Sequence, residues 1–437
     1  MIQNVTHLLR SRRFLPLFST QFLGAFNDSL FKQAVVLFVT YQLFSDPAKE
    51  FQFSAIAQAL FILPFFLFSA LSGQLADDHD KSRLIRIIKL AEIGIMICGG
   101  AGLMLANIPL MLAAVFAMGV HSTFFGPIKY AILPQHLNKD EVLGGTGLVE
   151  AGTYIAILGG TILGGILVVQ RPDGSFHAEF AAVGVLLVAL IGRIAGGFVP
   201  QALAADDAEI PGYPHRGMDW HIVRASVTLV SATLHVRRLF LAILSISFFW
   251  AMGAVLAAQF PPLVKNVFYA NQSVATLFLA VFSVGVAIGS VAINRMLKGQ
   301  VSARFAPSSA LMMGVFVLLL YVLAKDWSAS PELVGTREFL RHPLGWAVVL
   351  DLLGIAIAGG MFVVPLYAFL TTTVPKSETA RTVAANNIVN SGAMVVATLM
   401  LTGLVLVGVS VAETLFLVAL GSIVAAWLGW KLHLACD

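Results

Sequence analysis

Residues 73–83 read Gly73-Gln74-Leu75-Ala76-Asp77-Asp78-His79-Asp80-Lys81-Ser82-Arg83. Apolar runs flank this charged segment, over 53–76 on one side and 84–105 on the other. Each run is long enough to cross the hydrocarbon core of a bilayer, which takes about 20 helical residues. In lipid the backbone finds no water, so such a run must satisfy its own hydrogen bonds as a helix. Two long apolar runs joined by a short charged turn are the signature of a polytopic α-helical membrane protein.

The rest of the chain repeats the pattern. Apolar segments span 14–44, 53–76, 84–105, 109–133, 142–169, 178–199, 239–264, 273–297, 305–324, 344–371, 382–408 and 411–432. Twelve membrane spans are therefore expected. Composition agrees: of 437 residues, 58% are hydrophobic and 11% charged. Soluble domains carry about 25% charged residues. The mean hydropathy is +0.87. These values exclude a cytosolic enzyme, a nucleic-acid binder and a disordered chain. The polar, basic start from Met1 to Arg13 precedes a run far longer than a signal-peptide core, so that run is read as the first span. Cys98 lies within an apolar stretch and Cys436 near the end, so neither a disulfide nor a metal site is expected.

Orientation follows from the basic residues. With the N-terminus in the cytoplasm, the cytoplasmic segments hold Arg10, Arg12, Arg13, Lys81, Arg83, Arg86, Lys89, Lys139, Arg216, Arg224, Arg237, Arg238, Lys298, Arg304, Lys376, Arg381 and Lys431. The opposite side holds Lys49, Arg171, Lys265, Lys325, Arg337 and Arg341. Both termini are expected in the cytoplasm.

Three regions are expected: a six-helix bundle over 1–199, a cytoplasmic linker over 200–237 and a second six-helix bundle over 238–437. The linker opens with Asp206, Asp207, Glu209, Pro211 and Pro214. Within it, Trp220, Val223, Val227, Val230 and Leu234 recur at helical spacing opposite His221, Arg224, Thr228, Ser231 and His235. That pattern reads as an amphipathic helix lying on the membrane surface, or simply as a connector. The halves echo each other. Phe125-Gly126-Pro127-Ile128-Lys129-Tyr130-Ala131 closes span four, and Phe362-Val363-Val364-Pro365-Leu366-Tyr367-Ala368 closes span ten. A charged turn follows each. An internal repeat of this kind is a transporter architecture, with the substrate site expected between the halves near the bilayer middle.

The segment 73–83 resembles the signature of the major facilitator superfamily, Gly-x-Leu-Ala-Asp-Arg-x-Gly-Arg, in the loop between helices two and three. Gly73, Leu75, Ala76 and Asp77 match, and Lys81 stands at the second basic position. Asp78 replaces the usual first Arg and Asp80 the second Gly. The resemblance implies the major facilitator fold, and a conformational gate formed by Gly73, Asp77, Lys81 and Arg83. Asp77 is placed to meet the N-terminus of a neighbouring helix. An ordinary charged turn is the plain alternative. More specific strings are Gln21-Phe22-Leu23-Gly24-Ala25-Phe26-Asn27-Asp28-Ser29-Leu30-Phe31-Lys32, Gly126-Pro127-Ile128-Lys129-Tyr130, Gly147-Leu148-Val149-Glu150-Ala151-Gly152-Thr153 and Ser247-Phe248-Phe249-Trp250. Together they resemble the bacterial lysophospholipid transporter family, over about residues 14–400. That resemblance implies a flippase moving lysophosphatidylethanolamine, lysophosphatidylglycerol and similar lipids from the outer to the inner leaflet of the bacterial inner membrane. Reacylation would follow there. The chain ends at Asp437, just past span twelve, so an acyltransferase is expected only as a separate cytoplasmic partner. A monomer with no cofactor, metal or nucleic acid is expected.

Polar residues inside spans are expensive and mark function. Asp28 and Lys32 share a face of span one, flanked by Asn27, and read either as a head-group site or as a self-neutralised pair. Lys129 reads as a phosphate ligand or as a snorkelling side chain. Glu150 reads as a partner for Lys129 or Lys32, or as part of the polar path. Asn386, Asn387 and Asn390 form a polar face of span eleven, with Asn387 taken as the substrate contact and helix–helix bonding as the alternative. Glu92 and Asp351 read as solvated or paired near span ends, His121 as a core histidine, and Phe249 and Trp250 as packing. The glycines of Gly159-Gly160 and Gly164-Gly165 suit close packing or a moving seam. Enzyme signatures such as Gly-x-Ser-x-Gly, a phosphate-binding Gly-Lys-Ser/Thr and His-Glu-x-x-His do not occur. Two other functions share the evidence: a proton-coupled carrier of a soluble solute or drug, and a scaffold that docks an acyltransferase.

Overall fold

A computed structural model describes residues 5–39, 43, 47–170, 176–204, 218–328 and 332–436. Asp206, Asp207, Glu209, Pro211, Pro214, Arg171 and Arg216 lie outside the described residues, as does the end of the first expected span. The chain forms long helices: α1 Leu15–Phe38, α2 Pro47–Asp78, α3 Lys81–Met104, α4 Ile108–Ala131, α5 Val142–Leu167 and α6 Glu179–Gly197. After a short linker helix, α7 Ile222–His235, come α8 Arg237–Asn266, α9 Gln272–Met296, α10 Ala306–Lys325, α11 Gly345–Thr372, α12 Thr379–Leu406 and α13 Val411–Cys436. Val169–Gln170 and Phe176–His177 pair as a minimal antiparallel ribbon between α5 and α6.

Twelve of these helices fall where the apolar runs place spans, yet among the described residues eleven are long and apolar enough to cross a membrane on length and hydropathy. The exception is α1. Gln21, Asn27, Asp28, Lys32 and Gln33 dilute its hydropathy, although it packs along α5 and α6 within the first half. Its contact with α5 is close because of two glycines: a Cβ at Gly160 would lie 2.2 Å from the Phe26 carbonyl oxygen, and one at Gly164 2.5 Å from that of Leu30. Helix starts carry local caps. Asp80 accepts from the Ser82 N–H at 2.8 Å at the head of α3, and Asn107 accepts from the Leu110 N–H at 3.0 Å at the head of α4.

Three large hydrophobic clusters organise the packing. One draws on both halves, with Leu17, Ile132 and Leu143 packed alongside Ile246, Ile293, Phe362 and Val383. A second belongs to the first half alone (Phe31, Met96, Met111, Val185) and a third to the second half alone (Leu256, Phe268, Phe278, Phe339). The halves thus share a core at the end that carries the chain termini and keep separate cores at the other. Across the boundary α2 lies against α12, and α5 against α9.

The linker helix α7 lies over the α2–α12 seam, where Ala225 packs with Ala70 of α2 and Ile388 of α12. Trp220, Val223 and Val227 remain 74%, 65% and 63% exposed, forming an apolar outer stripe suited to a lipid surface. Val230 departs from the expected stripe and turns onto the protein. Just before α7, Asp219 takes a bidentate Arg224 fork at 2.8 Å and gives its N–H to Gln74 of α2 at 2.8 Å. The Arg224 fork and the His221 N–H hold the Asp219 carboxyl at about 2.

Candidate functional site

The segment 73–83 closes the termini-side contact between the halves. The Asp77 carboxylate accepts from the backbone N–H groups of Ala380 and Arg381, both at 2.9 Å, at the first turn of α12. Those N–H groups lack partners inside their own helix, and the helix dipole favours an anion there. Asp78 pairs with the Arg381 guanidinium at 2.8 Å, so the acid that stands in for the usual Arg finds a cation in the other half. At Gly73 a Cβ would lie 2.6 Å from the Ala384 Cβ and 2.9 Å from the Arg381 Cα, so only glycine permits this approach. The Lys81 side chain is fully buried and its Nζ has no hydrogen-bond partner among the described residues, while its N–H donates to the Ala202 carbonyl at 2.9 Å. Arg83 is exposed and takes no part in these contacts. On the α5–α9 side Gly147 abuts Ser290: a Cβ there would lie 2.4 Å from the Ser290 carbonyl oxygen.

Two cytoplasm-facing carboxylates of the expected topology tie down neighbouring segments. Burial pushes Asp80 up, but bonds from the Ser82 hydroxyl and N–H and the Ala202 N–H outweigh it and hold the carboxyl below the usual range. Burial likewise raises Glu141, and the Asn138 N–H, Arg13 and His7 outweigh it. Arg13 reaches Glu141 at 2.6 Å and His7 at 3.1 Å, fastening the N-terminal segment to the head of α5.

Deeper in the boundary, polar and aromatic groups of both halves meet. Tyr130 of α4 and Tyr367 of α11 stack with centroids 4.7 Å apart and planes 8° from parallel. The Tyr130 hydroxyl donates to the Glu150 carboxylate of α5. Trp250 of α8 donates its Nε1–H to the Tyr367 oxygen at 2.8 Å, and Asn386 and Asn390 of α12 reach the same oxygen at 3.5 Å. Ser247 donates to Asn390 at 2.7 Å. Half-buried Lys129 sits over the Tyr130 ring, its Nζ 4.8 Å from the centroid, within electrostatic reach of Glu150 and Asp28. Trp250 therefore bonds as well as packs.

The remaining expected residues divide. Asp28 is half-buried and accepts from Ser122 of α4 at 2.5 Å. Lys32 does not pair with Asp28; it donates to Gln58 of α2 at 3.1 Å and lies over Phe61. Asn27, expected beside them, is fully buried and donates to Glu92 at 2.8 Å, because one residue of rotation, about 100°, turns it from the Asp28–Lys32 face toward α3. Asn387 is half-buried near Gly126 of α4, while Asn386 and Asn390 face the tyrosines. Lys89 and Glu92, expected in a cytoplasmic segment and near a span end, are both buried and pair with each other inside α3, with His121 alongside. Asp351 is buried, and neither of its carboxylate oxygens has a hydrogen-bond partner among the described residues.

An apolar groove of about 530 Å³ opens beside the junction. Phe18 and Phe22 of α1, Leu148 and Gly152 of α5, and Ile288 and Arg295 of α9 line it. Helix α5 thus presents Glu150 to the tyrosine cluster and its neighbours Ala151 and Gly152 to the groove. Among the described residues no group of three or more His, Cys, Asp or Glu is placed to hold a metal ion. Sequence reasoning missed Tyr130 and Tyr367 as partners. The shared Tyr-Ala step in the two repeated strings was the available signal.

Comparison with known proteins adds to this picture. Lysophospholipid transporter LplT of Citrobacter koseri is 26% identical over 408 residues, covering 92% of this chain and 90% of that protein. The LplT of Salmonella newport is 26% identical over 407 residues, at 91% and 90% coverage. Among solved structures, the human organic anion transporter MFSD10 superposes with a TM-score of 0.73 at 12% identity, covering 96% of this chain and 99% of that one. FucP in its outward conformation gives 0.70 at 13% identity, with 96% and 98% covered. Residues 17–398 match the Major Facilitator Superfamily profile. That match covers most of a multi-pass helical chain, and this membrane transporter belongs to the Major Facilitator Superfamily.

Proposed function

We propose that this transporter flips lysophospholipids from the outer to the inner leaflet of a bacterial inner membrane by alternating access. Both termini lie in the cytoplasm, following the excess of Lys and Arg on that side. The observation that carries the reading is on α5: Glu150, in a polar junction with Tyr130 and Lys129, adjoins an apolar groove of about 530 Å³. An amphiphile needs both, a polar route for its head and an apolar seat for its single acyl chain. The similarity to proteins named lysophospholipid transporter, over 92% of the chain, supports the same substrate class. In this orientation the Asp77 gate is the inner one, and it is shut while the opposite ends keep separate cores. The substrate is met by Asp28, Lys32, Lys129, Glu150 and Asn387, with Asn27 supporting from behind. Gly73, Asp77 and Lys81 serve the gate. The bundles 1–199 and 238–437 move as units joined by the 200–237 linker. The transporter works as a monomer, and a separately encoded acyltransferase consumes its product.

Reconstitution into liposomes tests the reading. Labelled lysophosphatidylethanolamine should cross with the wild-type protein, soluble sugars and drugs should not compete, and Asp28→Ala should lose uptake while expression stays normal. Efficient competition by a soluble solute would transfer the protein to the other carrier class.

A further inference from the structure

A second polar centre lies inside the first half, apart from the tyrosine junction. Lys89 and Glu92, one turn apart on α3, have side chains 1% and 0% exposed and contact each other directly. His121 of α4 places Nε2 3.3 Å from the same carboxylate oxygen of Glu92, and Asn27 of α1 donates to the other oxygen at 2.8 Å. Helix α6 closes the site with Gly192, whose absent Cβ would lie 2.9 Å from Lys89 Cε. The His121 Nδ1 has no hydrogen-bond partner among the described residues. Phe125 lies parallel to the imidazole, centroids 6.5 Å apart.

Charge decides what such a centre can do. Lys89 and Glu92 neutralise each other, so the group is neutral with a neutral imidazole and carries one positive charge once His121 takes a proton. The ammonium already occupies the place beside Glu92 that a metal cation would need. Histidine is the side chain whose ordinary titration falls within the physiological range. The charged groups around the imidazole are few. Asp28 and Lys32 come from α1, Lys89 and Glu92 from α3, and Lys129 lies further along α4. Helix α6 meets the site with Gly192 and Gly196, and its Arg193 lies against Gly197 instead. Asp28 follows Asn27 on α1 and is held by Ser122, which follows His121 on α4. Asp28, a half-buried residue, is thus held beside the sealed centre, within electrostatic reach of His121, Glu92 and Lys89.

We propose that the His121–Glu92–Lys89 centre is the coupling site of this transporter, binding one proton that arrives through Asp28 and sets which face of the protein is open. The proton comes from water, passes over the Asp28 carboxylate and rests on the imidazole, where the returned charge of Asp28 offsets it. A proton-loaded and a proton-free centre differ by one charge in a region with no solvent. That difference is large enough to bias an equilibrium between two packings of the halves. The inference concerns the driving ion and stands whatever substrate is carried.

The test needs no substrate. Cys98 and Cys436 are replaced by Ser, and spin labels are placed at the exposed positions Lys139 and Lys376, on opposite halves of the termini side. Protein in phosphatidylcholine nanodiscs is then compared at about pH 8 and about pH 5.5, either side of the ordinary histidine range. The ratio of short to long label distances should change by about threefold or more in the wild type, the scale of a modest population shift. His121→Gln and Glu92→Gln should each abolish the change. Should those variants not fold, Asn27→Ala, which loosens the centre and keeps the imidazole, should displace the pH midpoint. A pH-insensitive wild type, a His121→Gln protein that responds as the wild type does, or an unmoved midpoint in Asn27→Ala overturns the proposal. Lipid flipping that fails in liposomes while the pH response persists removes the lysophospholipid reading alone.

Discussion

Tyr130 and Tyr367 stack face to face across the boundary between the halves, 4.7 Å apart at their centroids, so one hydroxyl reaches Glu150 while the other takes the Trp250 N–H. Neither ring can move with one half without breaking a bond or the stack. Tyr367→Phe keeps the stack and removes the acceptor, leaving the N–H of half-buried Trp250 without its partner. A buried donor left without a partner costs about 1–3 kcal/mol. Thermal unfolding in detergent should show a clear loss for Tyr367→Phe and a smaller one when Trp250→Phe is added to it.

The gate is a second point of control. Asp77→Ala removes two charge-assisted bonds to α12, each worth about 1.5–3 kcal/mol when made. Gly73→Val places carbon where Ala384 and Arg381 already stand. Both variants should shift the population away from the state with the termini side closed, read as faster thiol labelling of a cysteine introduced near Ala384. Equal labelling in variants and wild type would mean that the contact does not hold the state.

Asp78 and Arg381 form a pair across the same gate, with side chains 36% and 29% exposed. Exposed pairs contribute about 0–1 kcal/mol, so each single reversal should cost little. Asp78→Arg combined with Arg381→Asp should recover most of what each alone loses in transport rate, and a double-mutant cycle measures it.

The α1–α5 seam has no room for a side chain at Gly160. Gly160→Leu would drive its Cβ into the backbone at Phe26 and Leu30. Overpacking of this kind costs about 1–3 kcal/mol or more. A lower melting temperature is expected, with less monodisperse protein on gel filtration. The neighbouring Gly165→Ala, whose Cβ would find only Leu37 at 3.7 Å, should be tolerated.

Acid acts on the head of α3. The Asp80 carboxyl lies below its ordinary value in the folded protein, held there against burial by Ser82 and Ala202. Its ionised form therefore stabilises the native state above the unfolded value of about 3.9, and that contribution fades as pH falls through the folded value. The melting temperature should drop on acidification below about pH 4, and less steeply in Asp80→Asn.

Apolar run length was enough to place the long helices, because lipid leaves a helix as the one solution for such a run. Asp77 was legible for a similar reason: a carboxylate in a turn needs a positive end to face, and a helix start offers one. Lys89 was not. It stands in a basic series with Lys81, Arg83 and Arg86, and counting charge does not say which way each side chain points. Spacing does: Lys81, Ile85 and Lys89 recur every four residues and are buried, whereas Arg83 and Arg86 are exposed. Glu92, three residues beyond Lys89, completes that inward face. The cross-half contacts of Tyr367 and Asp78 were hidden because a boundary between repeats brings together residues far apart in sequence.

The position of α7 has a mechanical consequence. It rests on Ala70 and Ile388, one on each side of the α2–α12 seam, and Gln74 anchors the turn before it. Parting the two helices at that end must peel this strap off one of them. A protein or lipid that pinned the exposed stripe of Trp220, Val223 and Val227 to the bilayer surface would act as a brake, slowing the cycle from outside the path its cargo takes.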